Sequence, residues 1–280
     1  MFRILEKYLI GPKIQYARVL APEIAKKARA GQFLIVTHGE NSERIPLTLA
    51  DWDAREGSIT MVFQEMGKTT HRLGELKAGD SIENILGPQG QPTEIRNFGR
   101  CVVIGGGIGI APVYPLARAL SAAGNRVTAI VGYRSSQHVF WEDRMRAEAE
   151  TLVLGTNDGS AGRKGMVTDF LKEILEGGGK VDRVFAIGPM PMMRAVAEMT
   201  REPGIPSVVS MNTLMVCGMG MCGACRVTVG GKTYFTCMDG PDFDGHAVDF
   251  DEALRRLSTY KAEENVCFEE YQRGRGYGCE

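Results

Sequence analysis

Four cysteines near the C-terminal end have the type and spacing of metal ligands. Cys217, Cys222, Cys225 and Cys237 lie in VCGMGMCGACRVTVGGKTYFTC, spaced C-x4-C-x2-C, then eleven residues, then C. Plant-type [2Fe–2S] clusters use such a spacing, with three thiolates from one glycine-rich loop and the fourth from further along the chain. Ligands this close in sequence need small residues between them, and Gly218, Gly220, Gly223 and Ala224 supply these. Glycine also lets backbone N–H groups turn toward sulfur, which tunes the potential of such a centre. The competing reading is a zinc site, which favours two C-x2-C knuckles; only Cys222 and Cys225 make one. A cluster carries single electrons and has no substrate chemistry of its own, so the rest of the chain must supply the two ends of a path.

Three further segments could bind phosphate or a cofactor. Gly105-Gly106-Gly107-Ile108-Gly109-Ile110-Ala111-Pro112 follows an apolar run and precedes a helix-like stretch. Backbone amides and a helix N-terminus can meet a pyrophosphate there, and glycine equally serves close strand–helix packing. No acidic residue ends the next strand; Tyr133, Arg134 and Ser135 stand there, which leaves NAD and NADP both open. Arg44-Ile45-Pro46-Leu47-Thr48 offers a cation and a hydroxyl, and Gly67-Lys68-Thr69-Thr70 offers amides, a cation and hydroxyls; each is also compatible with an ordinary turn. The histidines (His38, His71, His138, His246) are scattered. No serine–histidine or paired-carboxylate set appears, so no catalytic acid or base is expected. Cys101 reads as an inert core thiol, Cys267 and Cys279 show no evident partner in the sequence, and Met211, Met215, Met219 and Met221 read as gap-fillers.

The elements that must position these residues fall into segments. With 280 residues, about two domains are expected. Residues 1–97 carry short strand-like runs, FLIVT (33–37) and SITMVF (58–63), between glycine turns, and predict a small antiparallel barrel; LGPQGQP (86–92) reads as a loop. Residues 98–210 alternate strands (101–105, 127–134, 151–156, 183–189) with helix-like stretches. That alternation predicts a doubly wound parallel sheet. Residues 211–245 form the cysteine segment and 246–280 a charged, partly helical tail. A net charge of −1 gives no basic footprint for nucleic acid. The charge-free stretches 101–117 and 204–225 are too rich in glycine, proline and polar residues for membrane spans. The start, MFRILEKYLIGPK, lacks a signal peptide's apolar core, so a reducing cytoplasm is the expected setting for the thiols.

As a set, RIPLTLAD (44–51), MVFQEMGKTT (61–70), GPQGQP (87–92), GGGIGIAP (105–112), VGYRS (131–135), TNDGSAGRKG (156–165), AIGPMPMM (186–193) and the cysteine segment resemble the ferredoxin–NADP reductase-like electron-transfer subunits. That family includes the electron-transfer subunits of dihydroorotate dehydrogenase and sulfide dehydrogenase. It also includes the small subunit of the bifurcating NADH-dependent reduced ferredoxin:NADP oxidoreductase, which this chain resembles along essentially its whole length.

The resemblance implies FAD on the barrel, held by Pro46, Leu47, Thr48, Val62, Phe63, Gln64, Gly67, Thr69 and Thr70. It implies NAD(H) at Gly107, Gly109, Asp158, Gly188, Pro189 and Met190. It also implies a larger partner subunit carrying FAD and [4Fe–4S] clusters, or a still larger assembly such as a bifurcating hydrogenase. The implied activity is hydride exchange between NAD(H) and FAD and single-electron exchange between FAD and the [2Fe–2S] cluster. The alternatives are an electron-transfer subunit of dihydroorotate or sulfide dehydrogenase, and a non-enzymatic zinc-stabilised nucleotide-binding module. Two positions depart from the family pattern. In its R-x-Y-[ST] motif, aligned on Thr48, the arginine position holds Ile45 and the aromatic one Leu47, so Arg44 stands one residue early. Where bifurcating relatives can carry an aspartate as first cluster ligand, this chain has Cys217, which implies four thiolates and a lower potential.

Overall fold

The computed structural model describes residues 1–39 and 42–274. The first seven strands are β1 (Phe2–Gly11), β2 (Ile14–Leu20), β3 (Phe33–Thr37), β4 (Ile45–Asp53), β5 (Ser58–Gln64), β6 (Ser81–Ile82) and β7 (Asn84–Gln89). They form one sheet in the order β6-β1-β2-β5-β4-β3-β7, with every pair antiparallel. Two short helices, α1 (Pro22–Ala25) and α2 (Lys68–Glu75), complete this half-barrel. Side chains alternate along its strands, as the two-residue period requires. On β5, Ile59, Met61 and Phe63 enter the half-barrel's own core, whereas Val62 joins Tyr16 of β2 in a second core shared with the next sheet. β5 is buried on both faces, so Ser58 and Thr60 are buried alongside its apolar residues.

The segment 86–92, expected as a loop, instead holds most of β7, which pairs with β3 through Phe33–Gln89 and Ile35–Leu86. Gly87 is the reason: a Cβ there would lie 2.5 Å from Leu34 Cδ2. The glycine that reads as a turn signal permits a close approach inside a strand.

The second sheet begins with β8 (Arg100–Gly106), β9 (Arg126–Tyr133), β10 (Thr151–Thr156), β11 (Arg163–Lys164), β12 (Arg183–Ile187) and β13 (Ser207–Ser210), all parallel. The helices α3 (Ile110–Ala122), α4 (Glu142–Glu148), α5 (Val167–Glu176) and α6 (Met190–Arg201) connect them. Beyond it, β14 (Arg226–Val229) and β15 (Lys232–Phe235) form a two-stranded ribbon, followed by α7 (Thr236–Asp239) and β16 (Asp242–Asp244). The strand order is β11-β10-β9-β8-β12-β13-β16. The order reverses between β8 and β12, and ligands of such sheets bind at the carboxyl ends of the strands at that reversal.

The cysteine segment is therefore not a free appendage. It returns as β16 to pair antiparallel with β13, through Val208–Asp244 and Ser210–Asp242. The otherwise parallel sheet thus gains an antiparallel edge that the strand–helix alternation could not forecast.

The tail forms α8 (Phe250–Leu257) and α9 (Lys261–Gln272). The latter lies against α2, with Tyr271 Oη donating to Glu75 at 2.6 Å and the rings of His71 and Phe268 4.6 Å apart. Cys267 on α9 is buried and disulfide-bonded, so the expectation that it lacks a partner is corrected; Cys101 on β8 is buried too, and burial pushes its thiol up to about 11, as for an inert core thiol. Cys279 lies outside the described residues. Among the described residues, no helix is long and apolar enough to cross a membrane.

Candidate functional site

The loop from Met211 to Cys225 has no regular secondary structure, and its glycines explain how it turns. Gly218, Gly220 and Gly223 have φ of 71°, 77° and 65°, the left-handed region that glycine enters without cost from a Cβ. Gly218 is further constrained by space, since a Cβ would stand 2.4 Å from Ile35 Cγ1. The loop thus lies directly on β3 of the half-barrel. The turns aim backbone donors at sulfur. Met219 N and Cys222 N each lie 3.4 Å from Cys217 Sγ, Gly220 N lies 3.2 Å from Cys237 Sγ, and Ala224 N lies 3.4 Å from Cys222 Sγ.

The four thiols divide into an inner and an outer pair. Cys225 and Cys237 are buried, with their Sγ atoms 3.2 Å apart, and they pack with Phe33, Ile35 and Met215. Cys222 is exposed and Cys217 half-buried. Among the described residues, no three His, Cys, Asp or Glu side chains are grouped to hold a single metal ion. Four thiols arranged two and two, each pair close and furnished with N–H donors, fit a two-iron cluster better than a mononuclear zinc site.

The same donors act on the bare thiols. Backbone N–H groups from Met219 and Cys222 hold Cys217 down at about 6, whereas burial pushes Cys237 up to about 12. In cluster-free protein at pH 7, iodoacetamide is expected to label Cys217 first and Cys237 last. Peptide mass spectrometry over a time course checks this, and equal labelling of the two would contradict it.

A small cavity of about 110 Å³ adjoins the inner pair. Pro46, Leu47 and Thr48 of β4 form one wall, Pro112 and Ile187 of the second sheet's domain another, and Asn212 and Met215 of the cluster loop a third. Phe33 and Met215 line this cavity and also pack on Cys225 and Cys237. Phe33, Asn212 and Met215 were not singled out from sequence as cofactor contacts. Asn212, a polar residue inside a charge-free run, was the available signal.

A second cavity of about 510 Å³ lies at the carboxyl ends of the parallel strands. Its lining includes Gly106, Gly107, Tyr133, Asn157, Pro189 and Met192. The Ile187-Gly188-Pro189 turn separates it from the first cavity, with Ile187 facing one and Pro189 the other. Arg134 and Asn157 continue into an adjoining polar cavity of about 730 Å³ with Ser135, His138 and Asp158. The Asp158 carboxylate accepts from Ser160 Oγ at 2.6 Å and Ser160 N at 3.0 Å, which hold it below the usual carboxylate range.

Other expected residues are placed differently. Gly109 lines neither cavity, and Met190 is buried among the helices behind the sheet. Val62 and Phe63 send their side chains into the two cores, with Gln64 half-buried at the end of β5. Gly67 caps α2, where Thr70 Oγ1 accepts from Met66 N at 2.9 Å and Gly67 N at 3.0 Å. The hydroxyl of Thr69 donates to the Glu43 carboxylate. Of the four methionines read as gap-fillers, Met211 and Met215 are buried, but Met219 and Met221 are 48% and 81% exposed. Arg44, weighed as a phosphate clamp, instead donates from Nη2 to the Cys217 carbonyl oxygen at 3.0 Å.

A half-barrel, a doubly wound sheet and a thiol-bearing loop joined in this way define a ferredoxin-reductase-like oxidoreductase with an iron–sulfur segment. Known proteins give the same class. Residues 212–249 match the iron–sulfur cluster binding domain of dihydroorotate dehydrogenase B, and residues 103–198 match the oxidoreductase NAD-binding domain. The chain is 43% identical to a dihydroorotate dehydrogenase B (NAD(+)) electron transfer subunit homolog of Thermotoga maritima, over 98% of this chain and 96% of the relative. It is 37% identical to the electron transfer subunit of dihydroorotate dehydrogenase B from Bacillus caldolyticus, over 81% and 90% of the two chains. A chain in the structure of an NADH-dependent reduced ferredoxin-NADP oxidoreductase, solved in work on flavin-based electron bifurcation, superposes with a TM-score of 0.92. It is 41% identical and is covered over 98% of its length by 97% of this one. The chain belongs to the family of dihydroorotate dehydrogenase B electron-transfer subunits, with an iron–sulfur-binding and an NAD-binding domain.

Proposed function

We propose that this chain is the electron-relay subunit of a flavin-based bifurcating oxidoreductase. In this reading, residues 1–97 carry FAD, 98–210 NAD(H), 211–245 a [2Fe–2S] cluster held by Cys217, Cys222, Cys225 and Cys237, and 246–280 a tail. When bound, FAD takes a hydride from or gives one to NAD(H), and the cluster exchanges single electrons. The protein's own part is alignment. Pro46, Leu47 and Thr48 border the small cavity, and Gly107 and Pro189 border the larger one. Gly188 permits the close turn between them, since a Cβ there would come within 3.1 Å of Gly106 N. The carry-over of flavin contacts to Val62, Phe63, Gln64, Gly67, Thr69 and Thr70 runs through main chain and capping groups. The NAD(H) carry-over reaches Asp158 at the polar cavity, whereas for Gly109 and Met190, which line neither cavity, it runs through main chain alone.

The observation that carries the reading is the shared wall. Phe33 and Met215 touch both the cavity beside β4 and the buried thiols, so two-electron and one-electron sites adjoin with apolar side chains between them, excluding water. The outer pair opens onto Val216, Met219, Met221 and Met238, all exposed. Adaptable methionines are suited to a protein contact, and we assign this face to a larger subunit carrying FAD and [4Fe–4S] clusters, in a reducing cytoplasm.

A second reading draws on the family, whose members are named for dihydroorotate dehydrogenase. The Thermotoga maritima homolog so named matches 98% of this chain and the bifurcating relative 97%, so the partner subunit decides between the two readings. Purification from native cells under anaerobic conditions tests both. The expected result is a flavin spectrum with a reddish cluster band, bleached by NADH, in a complex with a flavin/[4Fe–4S] protein. A dihydroorotate-oxidising partner would replace the first reading with the second. A colourless protein with one zinc ion would end both.

A further inference from the structure

We propose that Arg44 is a positioning and charge-tuning residue of the cluster rather than a phosphate clamp. This rests on the cluster reading above. Arg44 immediately precedes β4 (Ile45–Asp53), and its Nη2 spans 173 residues of sequence to bond the carbonyl oxygen of Cys217 at 3.0 Å. That carbonyl belongs to the most N-terminal cluster cysteine, one residue before Gly218, which rests on Ile35 of the same hairpin.

The rest of the guanidinium supports a local role. Its Nε is buried and, among the described residues, has no hydrogen-bond acceptor. His38 Nδ1, across the same end of the β3–β4 hairpin, is buried and unpartnered in the same way. Buried polar groups without partners are costly, so the bond from Arg44 Nη2 to the Cys217 carbonyl is what fixes this guanidinium among the described residues. Nor is the Arg44 charge cancelled nearby. Among the described residues it forms no ion pair, and the carboxylate of adjacent Glu43 is taken by the Thr69 hydroxyl.

A fixed cation beside a centre that gains negative charge favours the reduced form. Arg44 therefore holds the loop at Cys217 and raises the potential of the cluster. It offsets part of the negative charge that four thiolates bring. Because only Ile45 separates it from Pro46 at the cavity beside β4, one strand links the cluster to the proposed flavin site.

The test uses the full chain with its cofactors and compares wild type, Arg44→Gln and Arg44→Lys. Readouts are an EPR-monitored redox titration of the cluster and the bound-flavin content. Arg44→Gln is expected to keep flavin and shift its cluster so that, at the wild-type midpoint, the reduced-to-oxidised ratio falls about tenfold, equivalent to about 59 mV for one electron. Arg44→Lys keeps the charge but not the planar fork, so it should shift less while still altering the EPR line shape. If Arg44→Gln loses its cluster and Arg44→Lys retains one with an altered line shape, the positioning role stands. An unmoved cluster potential and line shape in Arg44→Gln overturns the inference, and loss of flavin with an unmoved cluster assigns Arg44 to phosphate instead. A wild-type protein without a cluster signal removes the cluster reading, and this inference with it.

Discussion

Cys225→Ser is expected to abolish the cluster's visible absorbance and EPR signal while leaving reduction of bound flavin by NADH within a few-fold of wild type. The asymmetry follows from where the four thiols lie. Cys225 is 2% exposed and 3.2 Å from Cys237 Sγ, packed under Phe33, Ile35 and Met215. A serine there offers a poorer ligand to soft iron and leaves a hydroxyl to be satisfied in an apolar pocket. Cys222 is exposed, so Cys222→Ser can draw water to an altered cluster and should retain a signal of changed line shape. Transfer to an external one-electron acceptor such as cytochrome c should fall by at least about tenfold in Cys225→Ser. Iron content, EPR and stopped-flow flavin reduction measured on the same sample decide the matter. A Cys225→Ser protein with its cluster intact would remove Cys225 from the ligand set.

Gly109→Ala is expected to be the more damaging of two single-methyl additions in the glycine turn. Gly109 has φ −62°, open to any residue, so conformation does not demand glycine. Space does: a Cβ would lie 2.3 Å from Ile187 O and 2.8 Å from Gly188 Cα. Those are main-chain atoms of the turn between the two cavities, and they cannot rotate away. Overpacking of this kind costs about 3 kcal/mol or more, a fall in Tm of roughly 6 °C or more for a protein this size. Reduction of flavin by NADH should suffer with it. Gly107 is the converse, with φ 56° and nothing within 4 Å of a Cβ. Gly107→Ala carries only the left-handed backbone penalty, about 1–2 kcal/mol. Calorimetry and NADH titration of both variants check the ranking, and equal losses would show that space at Gly109 is not the constraint.

These cases also show what could be read from the chain. The cysteine spacing was legible because ligands close in sequence must be joined by a short loop, and only small residues allow that loop to turn. The parallel strands were legible because each is a buried apolar run between glycine and helix signals. The segment 86–92 was misread because glycine at a turn and glycine under Leu34 look alike until the neighbouring strand is in place. Gly109 carries the same ambiguity, a phosphate-loop glycine by motif and a packing glycine by contact. Met219 and Met221 could not be told from Met211 and Met215, since composition does not say which side of a loop faces water.

The sequence by itself determined the cysteine spacing, the strand–helix alternation and the family. Those depend on residues near one another in the chain, and spacing expresses them. The tertiary structure decided what adjoins what. It placed Phe33 and Met215, far apart in sequence, between the cavity beside β4 and the inner thiols. It also folded Asp242–Asp244 back onto β13 and brought Arg44 to the carbonyl of Cys217. Such contacts arise when separate apolar faces are buried together, and no local pattern records which faces those will be.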